Sequence, residues 1–507
     1  MVAARRAAVI LLALIALAST ASAASCTEPD GDFQRALAYG RTGRRAEARD
    51  ILVACARAHP SEKRYIVELA GLAYLDDDQP AARRYLHRAL QLDPADAYAS
   101  EFLGTLYFLH RNLPATLKYW NRAQKPRIAS ADLPRNLSFD LLTLPPGEQL
   151  RLEDLQTTQA RLEALRVGPA AVDLSARPND GEYDLRLATP SDGTWLSAAR
   201  SLRGLAYQSV TPDWRNIANS GVSWSGLFRW DAQKRRIDNA ITVPLSRDAK
   251  WRLDLDADLR RETWNTGGSG DFRLESAETR AAIGAVESGR FQWSTGLSLS
   301  TRSFHNAPAL QDGTAIESQT RAHVVLYDRP ESRLMISTDG AADAGRFLAG
   351  GGSAYSRFRA DLTSRWQPRS IPRTDEFLAR FSTGTIQGAV PFDRQFILGV
   401  ERDTDLWLRG HSATRDGKKG SGLIGRNYTL LNAQYEFELY SASFVTVAAG
   451  PFFDTGRIPS VPWQFDAGAQ VHVGLLGRVS LVLSWGRDLR NGSNQWFVSN
   501  GFPGRSP

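Results

Sequence analysis

The 507-residue chain has only two cysteines, Cys26 and Cys55, and seven scattered histidines. No His/Cys cluster carries metal-ligand spacing, so a structural zinc site and a metal cofactor are excluded on composition. There is no G-x-S-x-G elbow or other nucleophile context, and the chain is read as a non-enzyme without cofactor. The formal charge is +7. With Arg5 and Arg6 set aside, sixty basic residues face fifty-five acidic ones, which is mild, and no basic tract argues for nucleic acid. Beyond residue 23 no apolar run reaches the ~18 residues a membrane helix needs. A periplasmic protein, a secreted protein or an outer-membrane β-barrel remains.

Residues 1–23 read as an export signal. Arg5 and Arg6 form a basic start, Ala7–Leu17 is a short apolar core, and Ala21-Ser22-Ala23 is an A-x-A cleavage site. Lipidation at Cys26 is disfavoured because Ala23-Ala24-Ser25-Cys26 lacks the leucine expected three residues earlier. In an oxidising compartment Cys26 and Cys55 either pair or remain a buried and an exposed thiol.

Residues 28–128 carry a 34-residue period. Pro60 and Pro94 close successive units, Ala48/Ala82 and Leu52/Leu86 repeat at the same interval, and Cys55, Ala89 and Ala123 supply small contact residues. Leu69-Ala70 and Leu103-Gly104 match on the first helix of their units. The pattern is similar to tetratricopeptide repeats, with three helix pairs that must stack to bury their apolar faces. It implies either a docking groove or a rigid spacer, and the third unit departs from the pattern after Trp120.

Residues 133–193 read as strand, helix, strand, strand. Leu137–Leu144 is an apolar run, and Leu152, Leu155, Leu162 and Leu165 share a helix face. Ala171–Ala176 and Tyr183–Leu187 flank the turn signal Asn179-Asp180-Gly181.

From residue 200 to 507 alternation replaces helical periodicity. Trp251, Leu253, Leu255, Ala257 and Leu259 face one way; Arg252, Asp254, Asp256, Asp258 and Arg260 face the other. A lipid face and a polar lumen explain so charged a strand face. Trp264, Trp366, Trp463 and Trp485 stand near strand ends, where interface girdles belong. Fifteen or sixteen candidate strands lie between Gly221 and Phe502, and single-chain bacterial barrels take even numbers. The first strand is expected near Gly221–Trp230 and the last near Gln495–Phe502, with Trp496, Phe497 and Phe502 on the closing seam.

Two short stretches carry the sharpest signal. Leu408-Arg409-Gly410-His411 lies in a Gly-, Lys- and Arg-rich segment, about Glu401–Asn427. Phe452-Phe453-Asp454-Thr455-Gly456 lies on an alternating strand that turns Phe452 and Asp454 to the same side. Together they resemble the BamA/TamA-like family of outer-membrane assembly barrels, with its inward loop motif V/I/L-R-G-F/Y/H and facing F-x-D-x-G. The string from Pro146-Gly147 through Leu152-Glu153-Asp154-Leu155 to Arg161-Leu162 resembles that family's periplasmic POTRA module, although Val167-Gly168-Pro169 replaces the usual turn. The resemblance implies a barrel of 16 strands and a loop folded into the lumen. It also implies that Arg409 is held by Phe452 and Asp454, with Glu436 as a second acid. His411 stands where Phe or Tyr is more usual, and Gly410 is expected to let the loop tip turn.

The expected architecture is helical repeats, one small α/β module and a transmembrane antiparallel barrel. The expected partners are the outer-membrane bilayer and extended client polypeptides, with the N-terminal domains in the periplasm. The function implied is assembly or translocation of other polypeptides. An export pore for exopolysaccharide or secreted protein, and a structural anchor, are the alternatives.

Overall fold

The computed structural model describes residues 26–132, 148–166, 171–177, 181–188, 201, 204–205, 208–218, 220–268, 270–348, 353–368, 374–442, 444–475 and 479–499. The export signal, the run Leu137–Leu144, most of the Asn179-Asp180-Gly181 turn and Phe502 lie outside them. The chain divides into two compact units, one ending at Lys125 and one beginning at Pro126.

Among the described residues the first unit contains six helices: α1 (Pro29–Arg41), α2 (Arg45–Ala58), α3 (Lys63–Leu75), α4 (Gln79–Leu92), α5 (Ala97–Leu109) and α6 (Leu113–Trp120). Three begin on side-chain caps: Asp78 accepts from Ala81 N (3.0 Å), Asp96 from Ala99 N (2.9 Å) and Asn112 from Ala115 N (3.2 Å). Of the residues that repeat in sequence, Ala48, Leu52, Cys55, Ala82, Leu86 and Ala89 are buried, whereas Ala123 is only half-buried. They sit where neighbouring helices approach, which is why small side chains recur there. Cys26 and Cys55 form a disulfide, which sequence left open. After Trp120 the helix tightens into a 3-10 turn, Asn121–Ala123.

The second unit opens on a three-stranded sheet of β1 (Arg127–Asp132), β2 (Ala171–Ala176) and β3 (Glu182–Ala188), in the order β1-β3-β2. β1 runs parallel to β3, and β2 antiparallel to it. The helix α7 (Leu152–Ala164) lies between β1 and β2 in sequence and buries Leu155 and Leu162. Sequence reading placed residues up to 128 with the helices and began this module at 133. The structure moves the boundary to 125/126, because Arg127–Asp132 already pairs with β3.

A long antiparallel meander follows: β4 (Ser209–Val210), β5 (Asp213–Ile217), β6 (Val222–Trp230), β7 (Lys234–Pro244), β8 (Trp251–Asn265), β9 (Asp271–Ser288), β10 (Phe291–His305), β11 (Gly313–Arg329), β12 (Leu334–Phe347), β13 (Ala354–Trp366) and β14 (Glu376–Gly388). An insert carries β15 (Phe396–Leu398), β16 (Thr414–Arg415), β17 (Lys418–Lys419) and β18 (Leu423–Gly425). The meander resumes with β19 (Asn427–Ser441), β20 (Val445–Arg457), β21 (Gln464–Leu475), β22 (Val479–Asp488) and β23 (Asn494–Ser499). β14 pairs directly with β19, so the insert leaves the wall unbroken. In sheet order β23 leads back to β4 in the topology of a closed barrel; no residue register for that step lies among the described residues.

Three expectations need correction. The strand Gly221–Trp230 is not first: β6 is paired on both edges, with β7 on one side and with β4 and β5 on the other. β4 and β5 are one strand interrupted at Thr211-Pro212, since proline has no N–H for the ladder. Counted so, fifteen strands of the wall lie among the described residues, against the sixteen expected. Trp264 is also no girdle residue. It is 2% exposed and packs inward against Phe272 and Phe392, because it shares parity with Arg260 and Glu262.

The alternation of β8 has its two faces as the period requires. Leu255 and Leu259 are exposed on the outside. Asp254, Asp256 and Asp258 point inward and meet Arg252 (3.1 Å), Arg280 (2.7 Å) and Arg236 (2.9 Å). Among the described residues no helix is long and apolar enough to cross a membrane, which says nothing of strands. α7 lies at the end of the meander opposite the insert. Thr157 Oγ1 accepts from Gly289 N (3.0 Å), Gln156 Nε2 donates to Asp328 (2.8 Å), and the Leu165 carbonyl accepts from Ser223 (2.8 Å).

Candidate functional site

The insert occupies residues 389–426, starting about a dozen residues before the segment singled out in sequence. Its first arm is a 3-10 turn, Phe392–Arg394, followed by β15, which pairs with β18. A small apolar cluster of Phe396, Leu398, Leu406 and Leu408 packs against Tyr428 and Leu430 of the wall. This is why Leu408 precedes the arginine: its burial seats the tip.

Arg409 is 1% exposed. Its Nε donates to Asp454 Oδ2 (2.8 Å) and its Nη2 to Asp454 Oδ1 (2.7 Å), a planar fork on a carboxylate. Its backbone N–H donates to the same Oδ2 (3.0 Å). Nη1 donates to Gln434 and Gln470, each at 2.8 Å. The guanidinium stands 3.7 Å from the centre of the Phe452 ring, within cation–π range. Glu436 accepts from the same two amides, Gln470 (2.5 Å) and Gln434 (3.3 Å). Gln434 and Gln470 therefore link Arg409 to Glu436.

The wall beneath the tip has a feature sequence reading missed. Asp454 on β20 lies opposite Asp466 on β21, and Asp466 opposite Asp488 on β22. All three are at most 1% exposed. Like charges opposite one another in a sheet destabilise it unless compensated. The compensation comes from three consecutive insert residues. Arg409 takes Asp454; Gly410 N donates to Asp466 Oδ2 (2.6 Å); His411 places Nδ1 3.0 Å from Asp466 and Nε2 3.4 Å from Asp488. Acids at inward parity on successive strands were the available signal, but their alignment depends on register that one sequence does not state.

His411, Asp466 and Asp488 offer ligand atoms within 4.8 Å of one another. The two ring nitrogens face different carboxylates, and one ion binds only one of them. The geometry is that of an imidazole bridging two acids, both nitrogens placed to donate.

Gly410 lies in the tight turn that was expected, which His411 N closes by donating to the Leu408 carbonyl (3.0 Å), but glycine is not required there for its backbone freedom. It is not among the residues with positive φ. A Cβ there would lie 2.6 Å from Asp488 N and 2.7 Å from Asp466 Cγ, so close approach to the wall requires glycine. Gly486 on β22 plays the reciprocal part: a Cβ there would collide with the Arg409 carbonyl. At Gly456 a Cβ would come 3.0 Å from the Leu430 side chain.

Further contacts tie the insert to other strands. Asp403 meets Arg229 (2.7 Å) and Arg236 (3.1 Å), Glu401 meets Lys234 (2.7 Å), and Lys419 meets Glu262 (2.6 Å). Asp405 meets Arg380 (3.0 Å), and Arg394 meets Glu278 (2.7 Å). Trp407 stacks edge-on to Phe497 of β23 at 5.1 Å. Trp496 is 63% exposed on the opposite face. A polar cavity of about 700 Å³ is lined by Asp405 of the insert, Glu163 of α7 and Arg252, Arg321 and Asp361 of the wall.

No protein-family model and no curated protein sequence matches the chain. Among solved structures it is similar to BamA from Haemophilus ducreyi lacking POTRA domains 1-3, at 10% identity over 74% of this chain and 84% of that one, with a TM-score of 0.43. It is similar to CdiB from Escherichia coli at 15% identity over 74% and 75%, with a TM-score of 0.48. CdiB from Acinetobacter baumannii gives 14% identity over 82% and 80%, with a TM-score of 0.45. A likeness this distant carries no conclusion about activity.

Among the described residues the site contains no nucleophile paired with a base. Its chemistry is that of a lock, in which ion pairs and close-packed glycines hold a polypeptide segment inside a sheet.

Proposed function

We propose that the chain is an outer-membrane β-barrel that inserts or translocates other polypeptides. The observation that carries this reading is the insert 389–426, seated by the buried Arg409–Asp454 fork. An open pore has no use for a segment braced on so many strands, and a passive anchor has no use for an arginine sunk among three acids. On this reading the lumen is occupied at rest, and substrates leave between strands near the end of the meander. An extended client adds its backbone to an exposed strand edge, a mode that uses main-chain hydrogen bonds. The helices of the first unit act as tetratricopeptide-like repeats and the β1–β3 module as a POTRA-like domain, both periplasmic and both handling clients. Export depends on a cleaved signal at residues 1–23.

Photo-crosslinking residues placed at Trp496 and Phe497 in cells test the reading. Trapped polypeptides in the process of assembly are expected at these positions. Planar-bilayer conductance gives the contrary outcome: a large, steady conductance from the unaltered protein means an export pore.

A further inference from the structure

The outer face of the sheet carries a charged feature that the insert does not explain. At the end where the insert is rooted, one cross-strand row runs Trp230 (β6), Arg235 (β7), Arg261 (β8), Glu275 (β9) and Ser303 (β10). The insert's Lys418 reaches Asp271, the first residue of β9, at 2.5 Å, which fixes this as the same end. Arg235 and Arg261 are directly opposed and both exposed, and like charges so placed repel. Glu275 is shared: it lies 2.9 Å from Arg261, 3.4 Å from Arg273 and 3.8 Å from His305. Arg235 has no carboxylate partner among the described residues.

Immediately beneath this row the outward residues turn apolar. Ile237 pairs with Leu259, and Leu259 with Ala277. Ile237 and Leu259 are 43% and 52% exposed, Thr301 completes this row on β10, and Leu299, one row further from the insert end and just outside the groove, is 48% exposed. A shallow groove of about 620 Å³ is bordered by Arg235, Ile237, Leu259, Arg261 and Glu275. Two arginines against one acid leave the row cationic, with Arg273 in the next row but one also drawn to Glu275, and arginine forks suit phosphate oxygens. Cationic side chains on top of an apolar strip match an amphiphile with an anionic head and hydrocarbon tails.

We propose that this groove binds a phosphorylated glycolipid of the outer leaflet, with a phosphate between Arg235 and Arg261 and acyl chains along Ile237, Leu259 and Leu299. The phosphate relieves the repulsion between the opposed arginines, and the lipid pins β7 to β9, strands that also meet the insert on their inner face. The proposal rests on the outer-membrane reading given above, but its test does not depend on client handling.

The full chain, purified in detergent, is titrated by native mass spectrometry with diphosphorylated lipid A, with the same lipid dephosphorylated, and with inorganic phosphate. Heat-modifiable gel mobility checks that each variant folds. The unaltered protein is expected to bind the diphosphorylated lipid, and R235Q and R261Q each to weaken it on the order of tenfold. R457Q, an outward arginine held over Trp463, should bind as the unaltered protein does. R235K/R261K keeps the charge without the fork and should fall between, so the test survives if the glutamine variants misfold. Equal binding of the dephosphorylated lipid, undiminished binding by R235Q/R261Q, or inorganic phosphate binding as tightly as the lipid would each overturn the proposal. The last outcome would leave a phosphate site without a lipid.

Discussion

Gly486 on β22 lies against the backbone of Arg409, so close that any side chain at 486 would occupy the space of the Arg409 carbonyl. The buried arginine therefore depends on a missing side chain on a strand 77 positions along the sequence. Gly486→Ala should lift the tip from the wall and strain or break the Arg409–Asp454 fork. A loss of about 1–3 kcal/mol is expected, the usual cost of overpacking. Thermal unfolding in detergent measures it, and a rise in bilayer conductance would show that the insert has lost its seat. Unchanged stability and conductance would mean that the wall gives way easily.

Removing the arginine itself is the harsher change. Arg409→Ala leaves Asp454 with Asn432 as a neighbouring donor (2.8 Å) while Asp466 and Asp488 remain close by. Breaking a buried pair from one side costs about 3 kcal/mol or more. Arg409→Lys should recover only part, because an ammonium cannot fork onto the carboxylate and reach Gln434 and Gln470 at once. Chemical denaturation of both variants should give the order unaltered, Lys, Ala, with membrane levels little changed.

His411 joins two strands through two nitrogens. His411→Phe, the residue type expected from the resemblance, removes both contacts and leaves Asp466 with the Gly410 N–H. It should destabilise the insert more than His411→Gln, which keeps one donor group. Limited proteolysis within residues 415–422 reports how often the insert leaves its seat. Equal cleavage of the two variants would show that the bridge contributes little.

The segment from Glu401 to His411 is bound to β6 and β7 through Asp403 and to β7 through Glu401, and to β20, β21 and β22 through Arg409 and His411. These strands lie near the two ends of the meander. The insert should therefore resist their separation. Spin labels at Ala232 and Ser493, in turns at the insert end, would read the distance between them. E401Q/D403N should broaden or lengthen that distance, whereas R394Q, which releases Glu278 on β9, should not.

The disulfide closes a separation of 29 residues in the helical unit. Loop-closure entropy assigns such a link about 3.6 kcal/mol. C26S/C55S should lower the helical transition followed by circular dichroism at the helix band and leave the β-sheet transition in place. A shift of both transitions together would mean that the two units unfold as one.

Much of the fold was legible because it rests on local periodicities. Small residues recurring at intervals of 34 residues marked the helix pairs, and strict alternation in Trp251–Arg260 marked a strand with one polar face. Phe452 and Asp454 could be assigned to one side because their separation is the strand period. Trp264 shows the limit: its parity placed it inward, but its chemistry suggested the girdle, and only packing against Phe272 and Phe392 decided. The first strand was misplaced because β4 and β5 are too short and too broken by Pro212 to alternate.

What the sequence determined by itself was therefore what depends on neighbours in the chain: which segments are helical, which alternate, and that Phe452 and Asp454 share a side; the pairing of Arg409 with Asp454 was implied only by the resemblance of their two motifs. Only the tertiary structure decided register, and register is set by the sum of many pairings across strands. It alone put Asp454, Asp466 and Asp488 in one row, set Gly486 under Arg409, and moved the reason for Gly410 from backbone conformation to close approach. It also set Arg235 opposite Arg261 on the outer face. Each of these is a contact between residues on different strands, whose energy depends on alignment that no local pattern encodes.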